Sequence, residues 1–410
     1  MIAYAMANGL QALSILFGVL TMCAGFMGYW YWRPLKTSWD LDHATTQRFE
    51  LPDKGMLSAL MLNLITVNAT ETCTYDDPYP HQRIGFRVVG NGNKVIVDVR
   101  GRQLQAINYW DTGKMPWDMN VVLSGASCNQ YSFIPFGIKP GDPLHGLDLS
   151  KFASGVQFEE TNTFSDSYYT AGSSKLNIQG LFYKDPPGDL FGGGFMKKRQ
   201  VINKTAASET QVSVKLPTEN KLRQINMFTE PSLSSNVPAT GPFTNLTSIW
   251  LGVKSKEEYL LNNYNASQFA RMIHQLYGRL PETKIRCRTG TASDKFIDTM
   301  IYERIDSMAV SSQGATDYGI TLHNLMMWER IEKPNGYSAG GGGTNVNIYL
   351  KNQGILYHGH IPILLQDPES PEEDWLDAGE LADVYVEFSE AASTGNIYIV
   401  LDELQKTYPA

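Results

Sequence analysis

Apolar and polar positions alternate along most of this chain in short runs, and Gly, Pro, Asn and Asp separate the runs. Met56–Thr66 reads as a first strand. Arg83–Val89 (RIGFRVV), the turn Gly90-Asn91-Gly92-Asn93 and Lys94–Val99 (KVIVDV) read as a β-hairpin, because the turn residues tolerate positive φ. Arg102–Trp110 predicts a short helix, and Val121–Leu123, Cys128–Phe136, Ser154–Glu160 and Lys175–Tyr183 predict further strands. About eight short antiparallel strands with long excursions between some of them fit a jelly roll better than a meander.

The second half repeats the first. Residues 134–184 and 361–406 share an order of features: Ile134-Pro135 and Ile361-Pro362, then a Pro/Asp loop, then Leu147-Asp148 and Leu376-Asp377. Each copy continues with an alternating strand ending in Phe158 or Phe388, a small-residue turn, and a strand ending in Lys184 or Lys406. Upstream, Ile249–Val253, the turn Lys254–Lys256 and Glu257–Leu261 stand where the hairpin stands in the first copy. Ser267–Gly278 then matches Arg102–Trp110: Phe269, Met272, Ile273 and Leu276 fall at helical spacing, Ala266-Ser267 serves as cap and Gly278 as stop. Ile320–Arg330 and Asn345–Leu350 read as strands around the glycine run Gly340–Gly343. That run is followed by no Lys-Ser/Thr and opens no helix, so it reads as a surface loop rather than a phosphate cradle.

Two tandem β-modules follow, with expected boundaries at 49–184 and 221–410. Residues 185–220, with Pro186-Pro187-Gly188, Gly192-Gly193-Gly194 and a Thr/Ser/Lys/Glu-rich tract, read as an exposed linker, in which Gln211–Leu216 could still pair an edge strand. Residues 1–48 are different. From Met1 to Trp32 the chain carries no charge, and Leu10, Leu13, Leu16, Phe17, Leu20 and Phe26 lie in an apolar stretch that predicts a helix. Tyr29, Trp30, Tyr31, Trp32 and Arg33 follow, as an interfacial belt would, and Pro34 is expected to stop the helix. Three readings compete: a signal peptide, a transmembrane anchor, and a helix packed under the β-modules against lipid or neighbouring subunits. The absence of a basic n-region disfavours the first; Asn8, Gln11, Ser14 and the glycines weaken the second.

The 410 residues suit two domains, and 36 Gly, 20 Pro and 11% aromatic content fit a mainly β chain. A net charge of −8 without a basic stripe disfavours direct nucleic-acid binding; the densest basic run, Lys197-Lys198-Arg199, reads as a solvated loop. The four cysteines, Cys23, Cys73, Cys128 and Cys287, have no metal or disulfide spacing. His358-Gly-His360 is the one close histidine pair; on a single strand both rings would share a face, but no third ligand is fixed nearby. Asp367–Asp374 is acidic without the ligand order of a calcium loop. No Gly-x-Ser-x-Gly elbow and no identifiable carboxylate pair is present. No catalytic residue, cofactor or metal is therefore expected, and the chain reads as non-enzymatic.

Phe49-Glu50-Leu51-Pro52, His81–Asn93 and Lys94–Leu104 resemble the opening strands of double jelly-roll major capsid proteins of tailless icosahedral viruses with an internal membrane. Leu376-Asp377, Leu381–Phe388 and Gly395–Leu404 resemble their closing strands. The resemblance covers roughly 49–184 and 221–406, and the chain departs from the family in its apolar N-terminal arm. It implies two tandem eight-stranded antiparallel jelly rolls plus an N-terminal apolar helix, homotrimers of pseudo-hexagonal outline, and a place in the virion shell. The implied partners are further copies and neighbouring capsomers, minor capsid, cement or vertex proteins, and a lipid membrane touched through the N-terminal helix. A membrane-tethered glycan-active hydrolase, and a sugar- or receptor-binding module using Trp110, Trp117 or Trp328, are the alternatives.

Overall fold

The computed structural model describes residues 29–408, except 70–79, 117, 123–124, 185–192, 232, 235–236, 239–241, 290–294, 299–300, 312–318, 322–327, 333–345, 366–371, 382 and 392–394. The first half contributes β1 (Tyr29–Asp40), β2 (Thr46–Glu50), β3 (Met56–Val67), β4 (Ile84–Gly90), β5 (Lys94–Arg100), helix α1 (Gly101–Thr112), β6 (Asp118–Val122), β7 (Ser127–Pro135), β8 (Val156–Asn162) and β9 (Lys175–Lys184). The second contributes β10 (Phe195–Thr205), β11 (Val212–Lys215), β12 (Lys221–Pro231), β13 (Ser248–Val253), β14 (Glu258–Asn265), helix α2 (Ala266–Tyr277), β15 (Glu282–Thr289), β16 (Ile301–Ser311), β17 (Val346–Tyr357), β18 (His360–Leu364), β19 (Val384–Ser389) and β20 (Gly395–Gln405).

Strand order reveals the winding. In the first half β1-β9-β3-β7 face β2-β8-β4-β5; in the second, β10-β20-β12-β18 face β11-β19-β13-β14. Successive strands change sheets in the same sequence both times, which is jelly-roll connectivity. The repeat read from the sequence therefore holds element by element. Phe158 and Phe388 are each buried in their own core. Asp148 and Asp377 each accept a hydrogen bond, from Ser150 N at 3.0 Å and from Gly379 N at 3.1 Å, and so cap equivalent turns. Both helices end on a left-handed glycine, Gly113 or Gly278, and α2 begins on an Asn265 cap rather than on Ala266-Ser267.

Two corrections fall at equivalent places. The expected helix through Tyr29–Arg33 is instead strand β1, paired antiparallel with β9 from Tyr29↔Lys184 to Asp40↔Lys175. Aromatic side chains favour strands, Tyr31 stacks on Phe182, and Pro34 is tolerated because β1 lies at a sheet edge. Leu10, Leu13, Leu16, Phe17, Leu20 and Phe26 lie outside the described residues. Likewise, the expected exposed linker contains β10, whose Phe195, Met196, Lys197 and Lys198 are buried, whereas Val212–Lys215 does pair β19 at a sheet edge.

The two halves share sheets. β5 pairs parallel with β10 (Val97↔Lys198, Asp98↔Arg199), so one nine-stranded sheet runs β2-β8-β4-β5-β10-β20-β12-β18, with Leu376–Asp377 against β12. A second nine-stranded sheet runs β1-β9-β3-β7-β6-β15-β17-β16, with Leu147–Asp148 against β3, and crosses between halves where β6 pairs parallel with β15. β15, β16 and β17 belong to the long excursion between α2 and β18. Within that excursion Ile320–Arg330 is divided between the short strands Gly319–Thr321 and Trp328–Glu332.

Candidate functional site: the junction between the rolls

Helix α1 is buried along Gly101–Trp110, although it carries Arg102, Gln103, Gln105 and Asn108. Asn108 exchanges hydrogen bonds with the Phe133 backbone of β7, and the other three are satisfied across the junction. Arg102 donates to Glu230, Gln103 Nε2 donates to Gln200 Oε1 at 2.9 Å, and His358 Nε2 donates to Gln105 Oε1 at 3.1 Å. Glu230 also accepts from the Tyr398 hydroxyl at 2.8 Å, and Arg102 and Arg100 stack over the Tyr398 ring. Burial, reinforced by Glu230, pushes the Tyr398 phenol up to about 12.

At the far end of α1 lie four buried charges. Lys198 Nζ donates to Asp402 Oδ1 at 2.8 Å and sits 3.6 Å from Asp111; Arg223 donates to Asp111 at 2.6 Å and to Asp402. Two cations and two anions cancel, which makes their removal from water tolerable. Burial pushes the Asp111 carboxyl up against the pull of Arg223 and Lys198. Burial also presses on Asp402, but there Lys198 and Arg223 win and hold it below the usual carboxylate range. The run Lys197-Lys198-Arg199 is thus no solvated loop: Lys198 is wholly buried, and Arg199 holds Glu403 at 2.7 and 3.0 Å.

The strands under α1 are buried on both faces. On β20, Ile397, Ile399 and Leu401 enter the second core, while Tyr398 and Val400 join the first. The alternation is strand-like, but neither face meets water.

His358 and His360 are not the ligand pair that a single strand would make. His358 has φ 53 in the turn between β17 and β18; it turns to Gln105, while His360 Nε2 donates to Asn226 Oδ1 at 2.8 Å. With His81 and His274 they form a set of uncharged rings: burial lowers His81 and His274 to about 4 and His360 to about 3, and His358 also falls well below its ordinary value. Among the described residues no group of three His, Cys, Asp or Glu side chains could hold a metal. Trp110 is buried in the second core, edge-on to His274, Tyr277 and His360. The side chains of Trp117 and Trp328, Gly340–Gly343 and most of Asp367–Asp374 lie outside the described residues; Glu372 pairs with Lys406 and faces His145 at 3.6 Å.

The sequence-read candidates Tyr29, Trp30, Tyr31, Trp32 and Arg33 lie together on edge strand β1, away from this junction. Tyr29, Tyr31 and Trp32 are exposed, and Trp30 packs edge-on to Tyr183 at 4.5 Å. Among the described residues no helix is long and apolar enough to cross a membrane. The junction's charged members went unread because Asp111, Lys198, Arg223 and Asp402 are far apart in the chain; the two acids Asp402 and Glu403 within the closing apolar strand Ile397–Leu404 were the one available signal.

No family model matches the sequence, and no curated protein matches it. Solved structures do. The major capsid protein of STIV aligns with TM-score 0.57 and 10% identity over 93% of this chain and 98% of that chain. A chain of the Sulfolobus Turreted Icosahedral Virus atomic structure also aligns with TM-score 0.57 and 10% identity, over 93% of this chain and 92% of that one. Major capsid protein P2 of bacteriophage PM2 aligns with TM-score 0.49 and 8% identity over 92% and 98%. The two wound halves, their order and the alignment over nearly the whole chain agree: this chain has the fold of the double jelly-roll viral major capsid proteins.

Proposed function

We propose that this chain is a structural capsid protein of an icosahedral virion, a pair of eight-stranded jelly rolls that trimerises into pseudo-hexagonal tiles. The observation that carries the proposal is the junction. Two rolls of equal winding are locked side by side by shared sheets and a buried charge cluster, so one chain offers two near-equivalent lateral faces. Three such chains in a ring present six, the outline that lets a threefold particle pack on a hexagonal lattice. The domain limits proposed from the sequence are widened so that the first roll takes in β1 and β2 and the second takes in β10 and β11.

The partners in this reading are further copies of the chain, then minor capsid, cement or vertex proteins. Leu10–Phe26 would face the virion membrane, and neither nucleic acid nor a cofactor is called for. The test is the mass and assembly of the purified chain. Stable trimers that associate into hexagonal sheets by electron microscopy support the tile; a monomer that hydrolyses glycans overturns it.

A further inference from the structure

Ten large apolar side chains are exposed among the described residues, and nine of them fall at two sheet edges and on the helix beside one of these. Tyr259, Leu260 and Tyr264 on β14, Met272 and Leu276 on α2, and the adjoining Leu280 form one patch; Tyr29, Tyr31 and Trp32 on β1 form the other. Patches of this kind mark contact surfaces. The internal repeat says what covers them. β14 and α2 correspond to β5 and α1, which in the first roll are covered by β10 and β20 of the second. β1 corresponds to β10. The covering strand and the surface that needs covering are therefore both open, at opposite ends of one chain.

The correspondence can be taken to single residues. Asp111 and Leu276 each stand two positions before the left-handed glycine that ends their helix, Gly113 or Gly278. On the other side, core-facing Ile397, Ile399 and Leu401 of β20 match Leu176, Ile178 and Gly180 of β9, so Asp402 matches Leu181. Lys198 pairs across the ladder with Asp402, and Trp32 pairs with Leu181. Inside the molecule these places hold the Lys198–Asp111 ion pair; on the open faces they hold Trp32, 46% exposed, and Leu276, 67% exposed. A charge pair has been replaced by an apolar pair on both partners at once.

We infer that the α2–β14 face of one copy docks on the β1 face of a second copy, head to tail, with Leu276 against Trp32, reproducing the internal junction between subunits. The contact is heterologous, so each copy uses both faces and a ring closes without a remaining open edge. The contact names the surfaces of the trimer proposed above and rests on that reading. The internal junction is permanent and accommodates a buried charge cluster, whereas a contact formed between separate chains gains from apolar burial, with Trp as its anchor.

The test uses the full chain. Trp32→Cys with Leu276→Cys should form an intermolecular disulfide under mild oxidation, and neither single variant should. Trp32→Lys alone and Leu276→Asp alone should each reduce the solution mass threefold, to one chain, with the secondary structure read by circular dichroism unchanged. Mixing those two variants should restore a contact of the wild-type kind, Leu276 of the Trp32→Lys chain against Trp32 of the Leu276→Asp chain, and with it association, while the double variant, which rebuilds the internal Lys–Asp pair, should recover trimer. Wild-type trimers that both single variants leave intact, or that yield no disulfide from the cysteine pair, overturn this contact and leave the tile standing. A wild-type chain that stays monomeric at every concentration overturns the tile as well.

Discussion

Four histidines sit where a charge has no partner. His81, His274, His358 and His360 are held uncharged by burial, with Gln130, Gln105 and Asn226 accepting from their ring nitrogens or facing them. The unfolded chain protonates them near pH 6.5, and the folded chain only at about 4, about 4 and about 3 for His81, His274 and His360. Between those limits the unfolded state binds more protons, so stability is fully present above pH 6.5 and drains as pH falls towards 3. Each tenfold drop in proton affinity corresponds to about 1.4 kcal/mol. Urea unfolding at pH 7.5, 6, 5 and 4 should give a steadily falling midpoint, and His360→Gln, which keeps a donor towards Asn226, should flatten the slope. A midpoint independent of pH across that range would refute this assignment.

At the scale of elements, the second roll begins at a glycine that nothing else can replace. Gly194 has φ +91, and a Cβ there would lie 2.1 Å from the Gln405 carbonyl oxygen. Gly194→Ala must therefore displace the start of β10 from β20, which adds backbone strain of about 1–3 kcal/mol to the loss of pairing. The expected outcome is a lower melting temperature with protection lost first at the start of β10, where Phe195 packs on Phe152 in the first core, read by hydrogen exchange. Most strands from the third onward were legible in the sequence because their alternation, turn residues and glycine-stopped helices are local, although Lys221–Pro231 was read only as the start of the second module. The opening strand of each roll was not, and both failures have one cause. Tyr29–Asp40 looks like a membrane belt and Phe195–Thr205 looks like a basic linker, because what makes each a strand is a distant partner, β9 for one and β20 for the other. The buried charge cluster was illegible for the same reason: a lysine reads as surface until Asp111 and Asp402 are beside it.

The molecule as a whole should melt as a unit. A shared sheet, α1 and the Lys198–Asp111–Arg223–Asp402 cluster couple the two cores, so neither roll can open without exposing the other's interior. Calorimetry should give one transition whose van't Hoff and measured enthalpies agree. Asp111→Ala leaves two cations facing one buried carboxylate and should cost about 3–5 kcal/mol. It should move that single transition down rather than split it; two separated peaks would show that the rolls are independent.

Strand β20, with one face in each core, also bears on how the chain is made. A ribosome releases α1 long before it releases β20, and until Tyr398 arrives Arg102 and Glu230 lack the ring and the hydroxyl that close over them. A polypeptide cut short anywhere in between keeps a raw wound on its first half, a mark by which chaperones and proteases can tell incomplete products from finished ones.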